Sequence, residues 1–221
     1  MSKKRRVLLL YGGWEGHTPE LFADYAESEL LQGFEVVRSQ DLGMLEINTL
    51  RKFDLFVPIW TFDSITEQQE NDLLEAVASG MGMVAWHGNT SAFLGNRPHK
   101  MMLGGKFVAH PGGDSIKYNV HFESDEPLVE KLNDFSIVSE QYYLLVDPAV
   151  NVLATTLIDG GEFPWLKGVK MPVAWKRMWG EGKVFYCAIG HTLKDFEIPT
   201  VKTLLKRAVM WASERNIPSD N

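Results

Sequence analysis

Three apolar runs in this chain each lead to a histidine, and they constrain what the chain can fold into more than any other feature. Val7 to Tyr11 leads to His17, Met83 to Trp86 leads to His87, and Val184 to Ile189 leads to His191. Short apolar runs bounded by glycine and alternating with helical patterns read as strands of a parallel sheet buried on both faces. In open sheets of that kind the ligand crevice lies outside the carboxyl ends of the strands. The pattern therefore predicts three imidazoles at one sheet edge. Imidazole titrates near neutrality and is the commonest metal ligand, so these residues are candidates for proton transfer or metal binding.

Between the runs, local signals alternate strand and helix. Gly12-Gly13-Trp14-Glu15-Gly16-His17 is a glycine-rich loop, Thr18 is the expected cap, and Pro19 opens a helix reaching Gly33. Strands follow at 34–37 and 53–59. Ser64-Ile65-Thr66-Glu67 has capping-box spacing ahead of a helix marked by Leu73, Leu74 and Val77, with Gly80 as its C-terminal cap. Segment 91–113 reads as a short helix and then a loop reaching His110-Pro111-Gly112-Gly113, and loops of that length are usually functional. Residues 116–122 alternate apolar and polar, the mark of a half-exposed strand, antiparallel or at an edge. A short helix over 127–132 and strands near 142–146, 152–156, 173–176 and 184–189 come next. A final helix from Pro199 carries the stripe Val201, Leu204, Leu205, Ala208, Val209, Ala212. No linker or internal repeat divides the 221 residues, which predicts a single domain over 1–221.

Composition narrows the function. A hydrophobic content of 45% supplies a core, and 22 basic against 29 acidic residues leave a net charge of -7. No broad basic surface is available to neutralise phosphates, so nucleic acid is not an expected partner. The run Lys3-Lys4-Arg5-Arg6 reads as a solvated flank. No apolar stretch approaches the roughly 18 residues that span a membrane, and the run after Arg6 is too short for a signal-peptide core. The one cysteine, Cys187, excludes an intramolecular disulfide and agrees with a cytoplasmic location. It lies within an apolar strand pattern, where a thiol is structural rather than nucleophilic. Neither Gly12-Gly13 nor Gly112-Gly113 has the spacing of a nucleotide loop, so no nucleotide cofactor is expected.

Five short motifs occur in a definite order: Gly12-Gly13 with His17, Ala85-Trp86-His87-Gly88, His110-Pro111, Ser139-Glu140-Gln141-Tyr142, and Ile189-Gly190-His191. In that order, from Val7 to Trp211, they resemble the ThuA-like family, named for trehalose utilisation. The resemblance implies an α/β, flavodoxin-like three-layer sandwich with a mainly parallel sheet, similar to class I glutamine amidotransferases. It further implies a role in trehalose or related disaccharide metabolism, extending to 3-keto sugars, with a small-molecule sugar as partner. In the amidotransferases the turn after the equivalent strand reads Gly-x-Cys-x-Gly. Here Ala85-Trp86-His87-Gly88-Asn89 puts imidazole in place of the thiol, so glutaminase activity is not expected.

The resemblance also puts Glu140 and Tyr142 near the strand ends, where a carboxylate orients a histidine or acts as a general base. The expected centre is His17, His87, His191 and Glu140, serving acid/base catalysis or holding a divalent metal, zinc or similar. Trp14, Trp60, His110 and Tyr142 are expected to contact substrate, the indoles by stacking on a sugar and His110 from a loop over the pocket. The helix start after His17 is expected to disfavour its protonated form. His121 lies on the polar phase of an alternating strand and reads as solvent-exposed, and His99 beside Pro98 has no supporting spacing. Asp195, four residues after His191, is a weaker carboxylate candidate that could equally cap the final helix. The reaction class stays open among isomerase, lyase and hydrolase. The alternative is a non-catalytic sugar-binding or regulatory module on a degenerate amidotransferase-like fold, and homo-oligomerisation is left open too.

Overall fold

The computed structural model describes residues 4–123 and 125–214; Lys3 of the basic run and the two ends of the 1–221 span lie outside them. The chain opens with β1 (Arg6–Gly13), α1 (Pro19–Tyr25), which runs on as a π turn over Ala26–Leu30, and β2 (Glu35–Ser39). Then come α2 (Ile47–Leu50), β3 (Leu55–Thr61), α3 (Glu67–Ala78) and β4 (Gly82–Trp86). A 3-10 turn, His87–Ser91, leads to α4 (Arg97–Leu103), β5 (Gly105–Ala109) and β6 (Ile116–Phe122). The remaining elements are β7 (Phe135–Ser139), β8 (Tyr143–Val146), β9 (Asn151–Leu157), β10 (Lys170–Trp179), β11 (Gly182–Cys187), α5 (Leu193–Glu197) and α6 (Pro199–Ser213).

Among the described residues, nine strands form one sheet in the order β2-β1-β3-β4-β11-β10-β9-β6-β7, and β5 pairs with β8 in a separate ribbon. From β2 to β11 every neighbour is parallel, and from β11 to β7 every neighbour is antiparallel. The sheet is therefore mixed. Its parallel side holds the three apolar runs, and every residue of β3 and β4 is buried. On its antiparallel side the tight turn Gly180-Glu181 joins β10 to β11, a connection that parallel neighbours, which need long crossovers, cannot use. β3 pairs with β4 only at Leu55–Gly82 and Phe56–Met83. Pro58, which has no N–H to donate, lies just past the end of that pairing.

The stripe on α6 is buried at all six positions, and the helix packs on β3, β4 and β11. A second group of helices joins α3 with α2 and α4. Burying an aliphatic side chain is worth about 1.5–3 kcal/mol, so this stripe alone anchors α6 firmly. No helix among the described residues is long and apolar enough to cross a membrane.

Local departures from expectation have identifiable causes. Thr18 makes no side-chain cap; it sits at φ 44 because its N–H closes the turn onto Glu15 O at 2.9 Å. The capping box of α3 is formed by Thr66 and Gln69 rather than Ser64 and Glu67, the same spacing two residues later. Residues 105–109 form a strand within the expected loop, since a two-stranded ribbon leaves no long apolar signal. Turns occupy most of 127–132 where a helix was expected, and β7 follows unannounced, its alternation blurred by exposed Val138.

Candidate active site

The carboxyl ends of β1, β4 and β11 bring the three imidazoles together. Ring centroids of His17 and His87 are 4.7 Å apart, those of His87 and His191 5.5 Å, and those of His17 and His191 5.8 Å. His87 is the first residue after β4, is 2% exposed, and takes φ 41, a left-handed conformation rare for a side chain with a Cβ. Strain of this kind gathers at functional positions. Its Nδ1 lies 3.1 Å from Ala188 O. A carbonyl oxygen only accepts, so Nδ1 carries a proton and Nε2 faces the site. His17 Nδ1 is 2.9 Å from Thr61 Oγ1, at the end of β3. Gly88 makes this pairing reachable, because a Cβ there would run into both Thr61 Oγ1 and His17 Nδ1.

The antiparallel side contributes the anion. Glu140 follows β7 directly and is 7% exposed. Its Oε2 is 3.3 Å from His87 Nε2, and its Oε1 is 3.4 Å from His191 Nδ1 and 3.7 Å from His110 Nε2. Flanking residues hold it there: Tyr118 donates to Glu140 O at 3.1 Å, Ser139 Oγ to Asp195 at 2.8 Å, and Gln141 Nε2 to Thr156 at 2.9 Å. Asp195 Oδ2 also accepts the His191 N–H at 2.9 Å, so one carboxylate fastens both sides of the sheet. Tyr142 stacks on His87 and places its hydroxyl 3.0 Å from Nε2.

These contacts set the protonation states. Burial, then the charge of His87, lowers the His17 pKa from 6.5 to about 4, against an opposing pull from Glu140. The direction matches expectation, although the cause is burial and neighbouring imidazoles rather than a helix end. For Glu140, burial pushes upward, but the contact with His87 and the charges of His87, His191 and His110 hold it below its usual value. Burial, then Tyr186 and Glu140, raises Tyr142 well above 10, leaving a neutral O–H donor. At neutral pH the site thus combines an uncharged His17 with an ionised Glu140.

One donor atom from each of His17, His87, Glu140 and His191 lies within 4.8 Å of the others. The set fits a divalent ion on three grounds. His87 donates its outer N–H to a backbone carbonyl, as ligating histidines do. Buried His191 Nδ1 has no hydrogen-bond partner. His17, an uncharged imidazole, and Glu140, an ionised carboxylate, need lose no proton to bind. The donor types are those of zinc.

The family model for trehalose utilisation, ThuA, matches residues 6–212. The chain belongs to the ThuA family. A protein described as ThuA-like from Bacteroides uniformis shares the fold at TM-score 0.77 and 18% identity, over 96% of this chain and 93% of that one. Another from Parabacteroides merdae does so at 0.76 and 18%, over 99% and 94%. A Salmonella typhimurium protein described as cytoplasmic follows at 0.65 and 13%, over 95% and 100%. No curated protein matches the chain.

Around the ThuA chain's His/Glu cluster, the other sequence candidates fall in different places. Trp14 stands at the rim, 48% exposed, its ring 4.7 Å from His17 and 5.9 Å from Phe62. His110 is more exposed than the cluster and lies 3.7 Å from Glu140. Trp60 is 6% exposed and its indole N–H is taken by Asp63, so its ring walls a narrow cavity behind His17 instead of facing solvent. His121 pairs with Asp134 outside the cluster, and His99 is fully buried elsewhere. Cys187 is sealed inside β11, its thiol pushed up to about 12 by burial. Sequence reasoning missed Thr61, Phe62 and Ala188 O, and it ranked Asp195 below Glu140 as a carboxylate that could equally cap a helix. Thr61 carried one signal, its place at the end of an apolar strand.

Proposed function

We propose that this chain is an enzyme of trehalose or related disaccharide metabolism that acts on a sugar or keto sugar at His17, His87, Glu140 and His191. The observation that carries the reading is the convergence of four donor atoms, three from strand ends on one side of the sheet and one from the other. The family membership supplies the substrate class. His17, neutral down to about pH 4, and ionised Glu140 are the proton acceptors, and Tyr142 is a neutral donor beside His87. Trp14 and Phe62 offer exposed aromatic faces for the apolar side of a sugar ring, and His110 closes the polar side. His17, His87, Glu140 and His191 are also the residues that would hold a divalent ion such as zinc. When bound, such an ion polarises a sugar carbonyl or hydroxyl.

The same reading makes 1–221 one cytoplasmic, flavodoxin-like domain related to class I amidotransferases. Strand order β2-β1-β3-β4-β11 on the parallel side supports it, matching the flavodoxin order, as does His87 at a strained turn after β4. The test is turnover of trehalose and 3-keto-trehalose, compared between wild type and His87→Ala. We expect a loss of about 10²–10⁴-fold in His87→Ala. Equal turnover by both proteins, or none by wild type with sugar binding intact, would favour a non-catalytic binding module.

A further inference from the structure

Behind His17 and His87 lies a narrow cavity with room for about one water-sized group, walled by Pro19, Phe22, Ile59, Trp60 and Trp86. Asn89 also lines it. The residue is 1% exposed, and neither Nδ2 nor Oδ1 of its side chain has a hydrogen-bond partner. Its main chain is fixed from behind: Asn89 O accepts from Lys100 Nζ at 3.0 Å and from Ala92 N at 3.1 Å. The carboxamide is thus a held, buried donor and acceptor at the back of the His cluster. Native proteins pair nearly all such groups, so the unpaired amide marks where a partner belongs.

Building on the reading of the site as sugar-processing, we infer that Asn89 is a binding residue for one hydroxyl group, which both donates to Oδ1 and accepts from Nδ2. The two unpaired ends select the chemistry. An anion would face Oδ1 lone pairs, a cation would face the Nδ2 hydrogens, and an apolar group would leave both ends unpaired. A hydroxyl satisfies both. Its source is either the sugar or a water set beside His17.

The test uses Asn89→Leu, of similar shape without polar atoms, and Asn89→Asp, which keeps the acceptor and loses the NH₂ donor. Replacing an unpaired buried amide by an apolar side chain does not harm the free protein. We expect the ligand-free Tm of Asn89→Leu to equal or exceed wild type while kcat/KM for 3-keto-trehalose falls at least about tenfold in both variants. Monodeoxy trehaloses, measured by calorimetric titration, then separate the sources. If a sugar hydroxyl is bound, one deoxy position weakens wild type but not Asn89→Leu. If water is bound, no position behaves so and the loss lies in kcat. A lower ligand-free Tm in Asn89→Leu, or kcat/KM within twofold of wild type in Asn89→Asp, overturns the inference. If wild type turns over neither sugar, the sugar-processing reading fails, while the ligand-free Tm of Asn89→Leu still decides whether the amide is a structural group.

Discussion

The two sides of the central sheet build the site by different means. On the parallel side, three strands stop at the same edge and each hands over one histidine from the turn that follows, a consequence of strand polarity alone. On the antiparallel side, polarity alternates from strand to strand, and four reversals give β7 the direction of β11 again. Glu140 thus also follows a carboxyl strand end, but three strands separate β7 from β11. Glu140 reaches the cluster because Tyr118, Ser139 and Gln141 tie its segment down on three sides. On the parallel side neighbouring strand ends bring the histidines together, whereas on the antiparallel side specific hydrogen bonds hold the end of a distant strand at the cluster. Damage to the second should be the more local and the more severe for chemistry.

Asp195 joins the two sides, and its replacement is the sharpest way to break the comparison. Asp195→Asn leaves a group of the same shape but weakens its acceptance from Ser139 Oγ and the His191 N–H. We expect zinc affinity and kcat/KM to fall together by about 10–100-fold, as for other groups that orient ligands. Far-UV circular dichroism should stay unchanged. Loss of folding without a specific loss of affinity would make Asp195 a helix cap and nothing more.

The contrast also governs what could be read in advance. The parallel strands are continuous apolar runs, so their ends, and with them His17, His87 and His191, stand out from residue order. β7 does not stand out, since exposed Val138 sits among its inward-facing residues. Glu140 and Tyr142 were found only through the motif they share with a family. Ala188 O could not be found at all, because a backbone carbonyl has no residue type. Trp60 resembled Trp14 in sequence yet is buried, its indole claimed by Asp63 three residues on.

Titration offers a second probe. The folded pKa of His17, about 4, lies below its unfolded value of 6.5, so the unfolded chain binds more protons between those limits. The His17 contribution to stability is therefore complete above about pH 6.5 and is lost as pH falls toward 4. His99, fully buried and also lowered, adds a slope of the same sign. The difference between wild type and His17→Phe isolates the His17 part, and urea melts from pH 7 to pH 4 should show a shallower decline in the variant. The acid limb of kcat/KM should likewise lie well below pH 6.5. A limb at 6.5 would mean that His17 is not the group titrating in catalysis.

The smallest expected effect is at the rim. Trp14→Ala should raise KM for trehalose or its 3-keto derivative several-fold with kcat nearly unchanged, in line with the about 0.5–1.5 kcal/mol of an aromatic contact. A large fall in kcat instead would move Trp14 from the rim into the chemistry.

The central claim is that residues from the two sides of the sheet act as one centre, and a double-mutant cycle tests it most directly. His87→Ala, Glu140→Ala and the double variant are compared by kcat/KM for 3-keto-trehalose. Residues that act as a unit are strongly non-additive. The double variant should be about as slow as the slower single variant, and losses that simply multiply would show that the histidines and Glu140 work independently.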